Sequence, residues 1–344
     1  MIPEFYQNTF AVVQERVAAL EQAQVWEFGR SAGDRPLLAV AYGEKEPIAR
    51  TADFSSAMAG HNPKAFYGEG RGKQVLLVVS AIHGGEMESI ASVLNLFAAM
   101  ETGKDRRGKE WPGLREAMSR LRLVVVPCAN PDGREHVGSD DPHSWGEQDF
   151  EIYYQGAWKD GSAIGWIPSK SFNPLPLDRI GYLGGYHNDR GVNPSHGHFQ
   201  PKESAPESHA LLRLAVEETP DFVLDLHSCG SGPFCIVGER LLPAWANARV
   251  HYLDGAVRSL LRERHLGAKP WTVAGLPAHT LALNDMYYAA CGAIPMVFEG
   301  PHGRDKGNEW SYDQIVNIYL TTLEAISRVG AEEGFKALPE DWGA

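Results

Sequence analysis

The chain contains Val75-Leu76-Leu77-Val78-Val79-Ser80-Ala81-Ile82-His83-Gly84-Gly85-Glu86, an apolar run that leads directly into a His-x-x-Glu pair. A continuous apolar run of this kind predicts a strand that is covered on both faces. The two glycines let the backbone turn, so that His83 and Glu86 can converge on one ion. Catalytic zinc takes three protein ligands and leaves a fourth position for water, and two histidines with one glutamate form a known set. The stretch therefore predicts two of three ligands.

The third ligand is expected where another apolar run ends. Phe222-Val223-Leu224-Asp225-Leu226 leads into His227, and Ile294-Pro295-Met296-Val297-Phe298 leads into Glu299. In open α/β sheets, ligands bind outside the carboxyl ends of the strands. Each residue alone has a simpler interpretation, as a structural histidine or a solvated carboxylate. The repetition of the pattern favours one shared site.

Taken in chain order, the motifs resemble those of the zinc carboxypeptidases of the funnelin type, the carboxypeptidase A family. The four main motifs are His83-x-x-Glu86, Asn130-Pro131-Asp132-Gly133, Asp225-Leu226-His227-Ser228 and Phe298-Glu299. Further similarity lies in Gly29-Arg30-Ser31 with Asp34-Arg35-Pro36, and in Pro206-Glu207-Ser208. The resemblance runs from about Trp26 to Val329.

This resemblance implies a zinc-dependent hydrolase that cleaves a peptide or amide bond with metal-activated water, most directly a metallocarboxypeptidase acting on a small peptide or amide. It implies one Zn²⁺ per chain, held by the three predicted ligands His83, Glu86 and His227. Glu299 is expected to act as general base and then general acid. The family also uses an arginine that binds the oxyanion, and the counterpart here is expected to be one of Arg179, Arg134 or Arg190, in that order of preference.

The fold that the resemblance implies is α/β, with a mixed sheet of mostly eight strands and helices on both faces. It is expected to occupy residues 1–344 as a single catalytic domain. The pattern of the sequence agrees, because strand-like runs alternate with helical patterns. Helices are predicted at 5–21, 88–100, 206–217, 244–264 and 312–329.

The substrate-binding motif departs from the family pattern. Family members grip the terminal carboxylate of the substrate with an Asn-Arg pair, whereas the aligned run here is Gly191-Val192-Asn193-Pro194-Ser195-His196. Arginine offers a permanent charge and a bidentate fork, whereas histidine is at best partly charged at neutral pH. Asn193, Ser195 and His196 are therefore expected to bind the substrate in a non-standard way. Pro277-Ala278-His279 stands where the family carries a substrate-capping tyrosine.

A second departure is an enlarged, aromatic-rich loop at about residues 139–187. It either covers a small core of its own or forms a wall of the cleft, since aromatic side chains bury large areas and stack on ligands. A cleft wall of this kind would suit a cell-wall peptide amidase. Another alternative is an N-acyl amino acid amidohydrolase of the aspartoacylase and succinylglutamate desuccinylase type, which resembles the same catalytic core.

Two further interpretations, a serine hydrolase and a protein used only for binding, are disfavoured. Gly29-Arg30-Ser31-Ala32-Gly33 matches the G-x-S-x-G pattern of serine hydrolases, but that motif requires a strand before the serine and a helix after it. Ser31 instead lies between two strand-like runs. A member used only for binding would be expected to lack a ligand or the base, and neither is missing here.

The composition indicates which kinds of partner and which cellular compartment to expect. The net charge of −12 argues against binding to nucleic acid or to anionic membrane surfaces. No run approaches eighteen apolar residues, and the start lacks a basic and then apolar signal. We therefore expect a soluble, cytoplasmic enzyme with reduced cysteines, whose oligomeric state the sequence leaves open.

Overall fold

A computed structural model describes residues 2–138, 141, 147–237, 242–270, 281–302, 304–305 and 308–336. Part of the predicted loop at 139–187, and all of Pro277-Ala278-His279, lie outside the described residues.

The central sheet has seven strands within the described part of the chain, in the order β1-β2-β4-β3-β7-β9-β8. The strands are β1 (Gln24–Arg30), β2 (Pro36–Tyr42), β3 (Val75–Ser80), β4 (Arg122–Val126), β7 (Phe222–Cys229), β8 (Phe234–Ile236) and β9 (Ile294–Pro301). The four central strands, β4, β3, β7 and β9, are parallel, whereas β1, β2 and β8 add antiparallel pairings at the two edges. The predicted mixed α/β sheet is confirmed, with seven described strands against the eight expected.

Helices cover both faces of this sheet. They are α1 (Phe10–Ala18), α2 (Phe54–Ala59), α3 (Lys64–Tyr67), α4 (Met87–Thr102), α5 (Pro112–Ser119), α6 (Pro131–His136), α7 (Glu147–Gln155), α8 (Trp166–Ser171), α9 (Pro206–Glu218), α10 (Ala244–Glu263), α11 (Leu283–Cys291) and α12 (Tyr312–Glu332). The predicted opening helix is shorter than expected. Thr9 caps it, accepting a hydrogen bond from the backbone N–H of Val12, and so α1 begins only at Phe10.

The strand β3, which precedes His83 and Glu86, shows why helices cover both faces of the sheet. All six residues of β3 are buried. Leu76 and Val78 pack into one core together with α4, α5, α10 and α12, whereas Leu77 and Val79 pack into a second core with α9 and α11. Side chains alternate between the faces of a strand, so the unbroken apolar run serves two cores at once.

Two of the predicted strand ends lie farther along the chain than expected. The sequence pattern placed His227 and Glu299 just beyond strands 222–226 and 294–298. In the structure β7 and β9 remain paired in parallel register up to Cys229 and Pro301. His227 and Glu299 are therefore still part of the two strands, near their carboxyl ends. Continued backbone pairing between two neighbouring strands explains the difference.

The described part of the 139–187 region folds into α7, α8 and a two-stranded ribbon of β5 (Ala157–Trp158) and β6 (Ile180–Tyr182). A second small ribbon pairs β10 (Arg304–Asp305) with β11 (Asn308–Glu309). Tyr154 and Tyr186 form a small core with Val137 and with Met87, which directly follows the predicted ligand Glu86. The region thus has its own core, and that core packs against the predicted metal site. Among the described residues, no helix is long and apolar enough to cross a membrane.

Candidate metal centre and active site

The backbone around His83 and Glu86 makes a tight turn between β3 and α4. Ala81 adopts the left-handed region with φ 52°, which is uncommon for a residue with a side chain. The N–H of Glu86 donates to the carbonyl oxygen of His83 at 2.9 Å. Gly84 is needed for close approach, because a Cβ there would lie 2.1 Å from the backbone nitrogen of Arg134 at the start of α6.

The turn brings the predicted ligands together. Nδ1 of His83 lies 2.8 Å from Oε1 of Glu86, and Nδ1 of His227 lies 3.0 Å from Oε2 of the same carboxylate. One potential ligand atom from each of the three residues falls within 4.8 Å of the others, and all three residues are buried. Tetrahedral zinc with bonds of about 2.1 Å separates its ligand atoms by about 3.4 Å. The three donors therefore lie close enough together to share one zinc ion.

Electrostatics in the cluster also suit a cation. Burial alone would raise the pKa of the Glu86 carboxyl, but the imidazoles of His83 and His227 outweigh it and hold that pKa well below its ordinary value. Burial lowers the pKa of His83. It also disfavours the charged form of His227, yet Asp225 and Glu86 raise the pKa of that residue well above its usual range. A metal ion would take the place of the proton on His227.

Asp225 was not predicted to have a role, although it lies within one of the quoted motifs. Its Oδ2 atom lies 3.2 Å from Nε2 of His227. This contact favours the tautomer protonated at Nε2, which leaves Nδ1 to face Glu86. The signal was available in the sequence, because residues two apart on a strand project from the same face. Tyr319 adds a hydrogen bond from its hydroxyl to the carbonyl oxygen of His227 at 2.6 Å.

Glu299 lies beside the ligand cluster because of strand register. It is the Cα partner of His227 in the parallel pairing of β7 with β9. The residue as a whole is partly exposed, whereas its Oε2 atom is buried and has no hydrogen-bond partner among the described residues. Burial raises the pKa of Glu299, and the Glu86 carboxylate adds to this, against the opposing effect of His227. A carboxylate with a raised pKa and a free oxygen is suited to accept a proton.

The three candidate arginines lie in different surroundings. Arg179 is exposed, and its guanidinium carbon lies 4.9 Å above the ring of Trp158. Arg134 is buried and donates to the carbonyl oxygens of Asn8 and Val137. Arg190 is exposed. The structure does not bring any of these guanidinium groups together with the ligand cluster among the contacts of the described residues, so an oxyanion role for Arg179, or for either alternative, stays a prediction.

The predicted substrate-binding run forms a short 3₁₀ turn, Pro194–His196. The Oδ1 atom of Asn193 accepts from the backbone N–H of Ser195 at 3.0 Å, and both residues are buried. His196 is close enough to His83 and His227 for their charges to lower its pKa, after the larger effect of burial. The run therefore lies near the ligand cluster. Its binding role stays a prediction.

Near the cluster lies a cation that sequence patterns did not indicate. Lys170, at the end of α8, places Nζ 3.1 Å from Nε2 of His196. Its charge interacts with the carboxylates of Glu86 and Glu299. Lys170 belongs to the enlarged loop, which contains none of the family motifs. Motif spacing therefore could not predict a role for it.

Comparison with known families agrees with this geometry. A family model described as zinc carboxypeptidase matches residues 18–241. The chain belongs to the zinc carboxypeptidase family. It is a zinc metallopeptidase by family, and the matched residues include all three candidate ligands. Glu299 lies beyond the matched residues, so its place in the site rests on the register of β7 with β9.

Three solved structures with the same fold are distant from this chain in sequence. A metallo-carboxypeptidase from Burkholderia cenocepacia is 16% identical, with 92% of this chain and 67% of that chain covered and a TM-score of 0.57. A metallo-carboxypeptidase from Pseudomonas aeruginosa, in complex with (2-guanidinoethylmercapto)succinic acid, is 15% identical, with coverages of 93% and 67% and a TM-score of 0.56. Carboxypeptidase A from Helicoverpa armigera is 16% identical, with coverages of 95% and 74% and a TM-score of 0.55. The search of curated proteins found no match.

Proposed function

We propose that this metallopeptidase is a metallocarboxypeptidase with non-standard recognition of the substrate carboxylate, and that His83, Glu86 and His227 hold one Zn²⁺ per chain. The observation that carries the proposal is the pairing of His227 with Glu299 across β7 and β9. That register sets a buried carboxylate oxygen, which has no hydrogen-bond partner in the described part of the chain, beside three converging candidate ligands. It is the arrangement that hydrolysis by an activated water requires.

In the proposed mechanism each of these residues has a separate role. Zinc, when bound, lowers the pKa of a water molecule and polarises the scissile carbonyl. Glu299 accepts the proton of the attacking water at its free Oε2 and later donates it to the leaving nitrogen. Asp225 keeps the imidazole of His227 oriented throughout. The raised pKa of Glu299 suits both transfers, because the group must gain a proton and release it near neutral pH.

Peptides and related acids are the proposed substrates. The relative from Pseudomonas aeruginosa was solved with a succinic acid derivative, a dicarboxylate, which supports carboxylate recognition in the fold. The ligand cluster in this chain is also bordered by a cation, Lys170. A small acidic substrate would therefore find compensating charge.

The test combines a substrate screen with a matched pair of variants. Free-acid and amidated dipeptides, N-acyl amino acids and cell-wall peptides are assayed with the wild type before and after chelation and after addition of zinc. We expect hydrolysis of a free-acid substrate that chelation abolishes and zinc restores. Glu299→Gln should keep its zinc and its fold but lose about 10²- to 10⁴-fold in kcat, because an amide cannot accept the proton. Glu217→Gln, an exposed change on α9, serves as the control.

The proposal fails if Glu299→Gln retains near-normal turnover. Efficient cleavage of N-acyl amino acids or cell-wall peptides, without cleavage of free-acid dipeptides, would instead assign the site to one of the amidases.

A further inference from the structure

Lys170 is the feature of the site that the family pattern does not explain. It lies at the end of α8, in the enlarged loop, and its Nζ donates to Nε2 of His196 at 3.1 Å. The same nitrogen lies 5.4 Å from the ring centre of Tyr186 and 5.9 Å from that of Trp166. Both distances are within the range of cation–π contacts. The ammonium group is therefore held in place by three side chains.

The position of Lys170 relative to the metal ligands follows from Tyr186. The Tyr186 ring stacks on the His83 ring with centres 4.0 Å apart and planes 13° apart. The distances of 5.4 Å and 4.0 Å together put Nζ of Lys170 within 9.4 Å of the centre of the His83 ring. One extended residue of about 3.5 Å, with a contact of about 3 Å at each end, spans a distance of that size. An ammonium at this range can reach a group one residue away from the bond that is cleaved.

The charge of Lys170 is not neutralised by a close partner. Across the described residues it forms no ion pair with a carboxylate, and His196 is its one hydrogen-bond partner. Burial, the neighbouring Lys170 ammonium and other imidazoles lower the pKa of His196 to about 3. His196 is thus a neutral acceptor that uses one of the three N–H bonds of Lys170. The other two are left for a ligand, and a half-buried cation without an ion-pair partner among the described residues favours an anionic one.

We propose that Lys170, positioned by His196, binds the terminal carboxylate of the substrate. This rests on the proposed carboxypeptidase function and names the residue that supplies its specificity. The family grip corresponds in sequence to Ser195 and His196, neither of which carries a permanent charge. Here the His196 imidazole instead holds an ammonium group that the enlarged loop contributes. The Nδ2 atom of Asn193 is buried, has no partner among the described residues, and supplies a second donor in the same turn.

A purely structural role for Lys170 makes different predictions. If the contact with His196 serves only to attach α8 to the 3₁₀ turn, then Lys170→Met should lower stability and should reduce cleavage of all substrates alike. A carboxylate-binding lysine should instead discriminate between substrates that differ only at the carboxyl terminus. An oxyanion-binding lysine should lower kcat for free acids and amides equally.

The experiment compares Lys170→Met and Lys170→Arg with Lys159→Met, a charge removal at an exposed position of the same loop. Each variant is assayed with a free-acid dipeptide and with its C-terminal amide, and its zinc content and thermal melting are measured. For Lys170→Met we expect kcat/KM to fall roughly 10- to 150-fold for the free acid, the range for loss of a charged hydrogen bond, mostly through KM. The amide should change less than threefold, and Lys170→Arg should restore part of the preference.

An equal loss on acid and amide, or no loss on either, would overturn the inference. Calorimetry separates this failure from that of the proposed function, because it does not need turnover. Binding of N-acetylphenylalanine and of its amide is measured for wild type and Lys170→Met. If the wild type hydrolyses nothing yet binds the acid over the amide only when Lys170 is present, the proposed reaction is wrong and the carboxylate site stands.

Discussion

Asp225 is proposed to orient His227 for metal binding, and its replacement should weaken zinc binding by an amount that depends on the residue introduced. Its Oδ2 atom lies 3.2 Å from Nε2 of His227, while Nδ1 of the same ring lies 3.0 Å from Glu86. The two ring nitrogens are therefore committed to different partners. A carboxylate behind a metal-binding histidine fixes the tautomer and makes the ring a better ligand.

The expected magnitudes follow from what each substitution leaves behind. Asp225→Asn keeps an acceptor oxygen for the Nε2–H but loses the charge. A hydrogen bond to a charged group contributes about 1.5–3 kcal/mol and one between neutral groups about 0.5–1.5 kcal/mol, so we expect a loss of about 1 kcal/mol, or roughly fivefold in zinc affinity. Asp225→Ala removes the bond, and we expect a loss of roughly 10- to 100-fold.

The assay is a competition titration of zinc between the protein and a chromogenic chelator at fixed pH. Asp160→Asn removes the same charge from an exposed position and should leave affinity unchanged. Circular dichroism checks that each variant is folded. If folded Asp225→Ala bound zinc as tightly as the wild type, the assignment of Asp225 as the orienting residue would be refuted.

Three further predictions test the site and its support. His83→Ala should lose bound zinc by metal analysis, whereas His251→Ala, an exposed change on α10, should keep it; equal zinc content would remove His83 from the ligand set. Gly84→Ala should fail to fold or melt far below the wild type, because the new Cβ meets backbone at 2.1 Å, while Gly85→Ala, with its nearest neighbour at 3.6 Å, should be tolerated. Burial raises the pKa of Glu207 to about 7, so the folded state binds the extra proton and the free energy of unfolding should fall as pH rises from about 4.5 to 7. Glu207→Gln should remove up to about 3 kcal/mol of that dependence in urea titrations, and an unchanged slope would contradict the shift.

The grouping of the three candidate ligands could be predicted because its determinants are local. His83 and Glu86 belong to one turn, and His227 and Glu299 each follow an apolar run of the length that a buried strand needs. Parallel strands place their carboxyl ends on one edge of the sheet, so a repeated pattern of strand and ligand implies a shared site. The alternation within β3, with Leu76 on one face and Leu77 on the other, was likewise implied by its unbroken apolar composition.

The surroundings of Lys170 could not be predicted in this way. Lys170 contacts His196 and Tyr186, which lie in other segments of the chain, and no periodic sequence pattern indicates that these segments meet. The contacts depend on how the enlarged loop folds. Alignment to a family motif led to Arg179 as the expected oxyanion arginine, which stays a prediction, and its guanidinium lies over Trp158. Inside an insertion, spacing along the chain does not indicate position in the fold, so it could not point to Lys170.

The ligand cluster and Lys170 should respond differently to substitutions, because different elements hold them. The proposed zinc ligands are fixed by β3, β7 and the turn at Gly84, which are buried in the two cores of the sheet. Lys170 is fixed by a six-residue helix whose only buried residue is Ser169. Substitutions in α8 should therefore alter substrate preference while leaving zinc affinity and the unfolding of the sheet unchanged. Because the ammonium group and the ligand cluster are carried by separate elements, the carboxylate preference can change without rebuilding the catalytic centre.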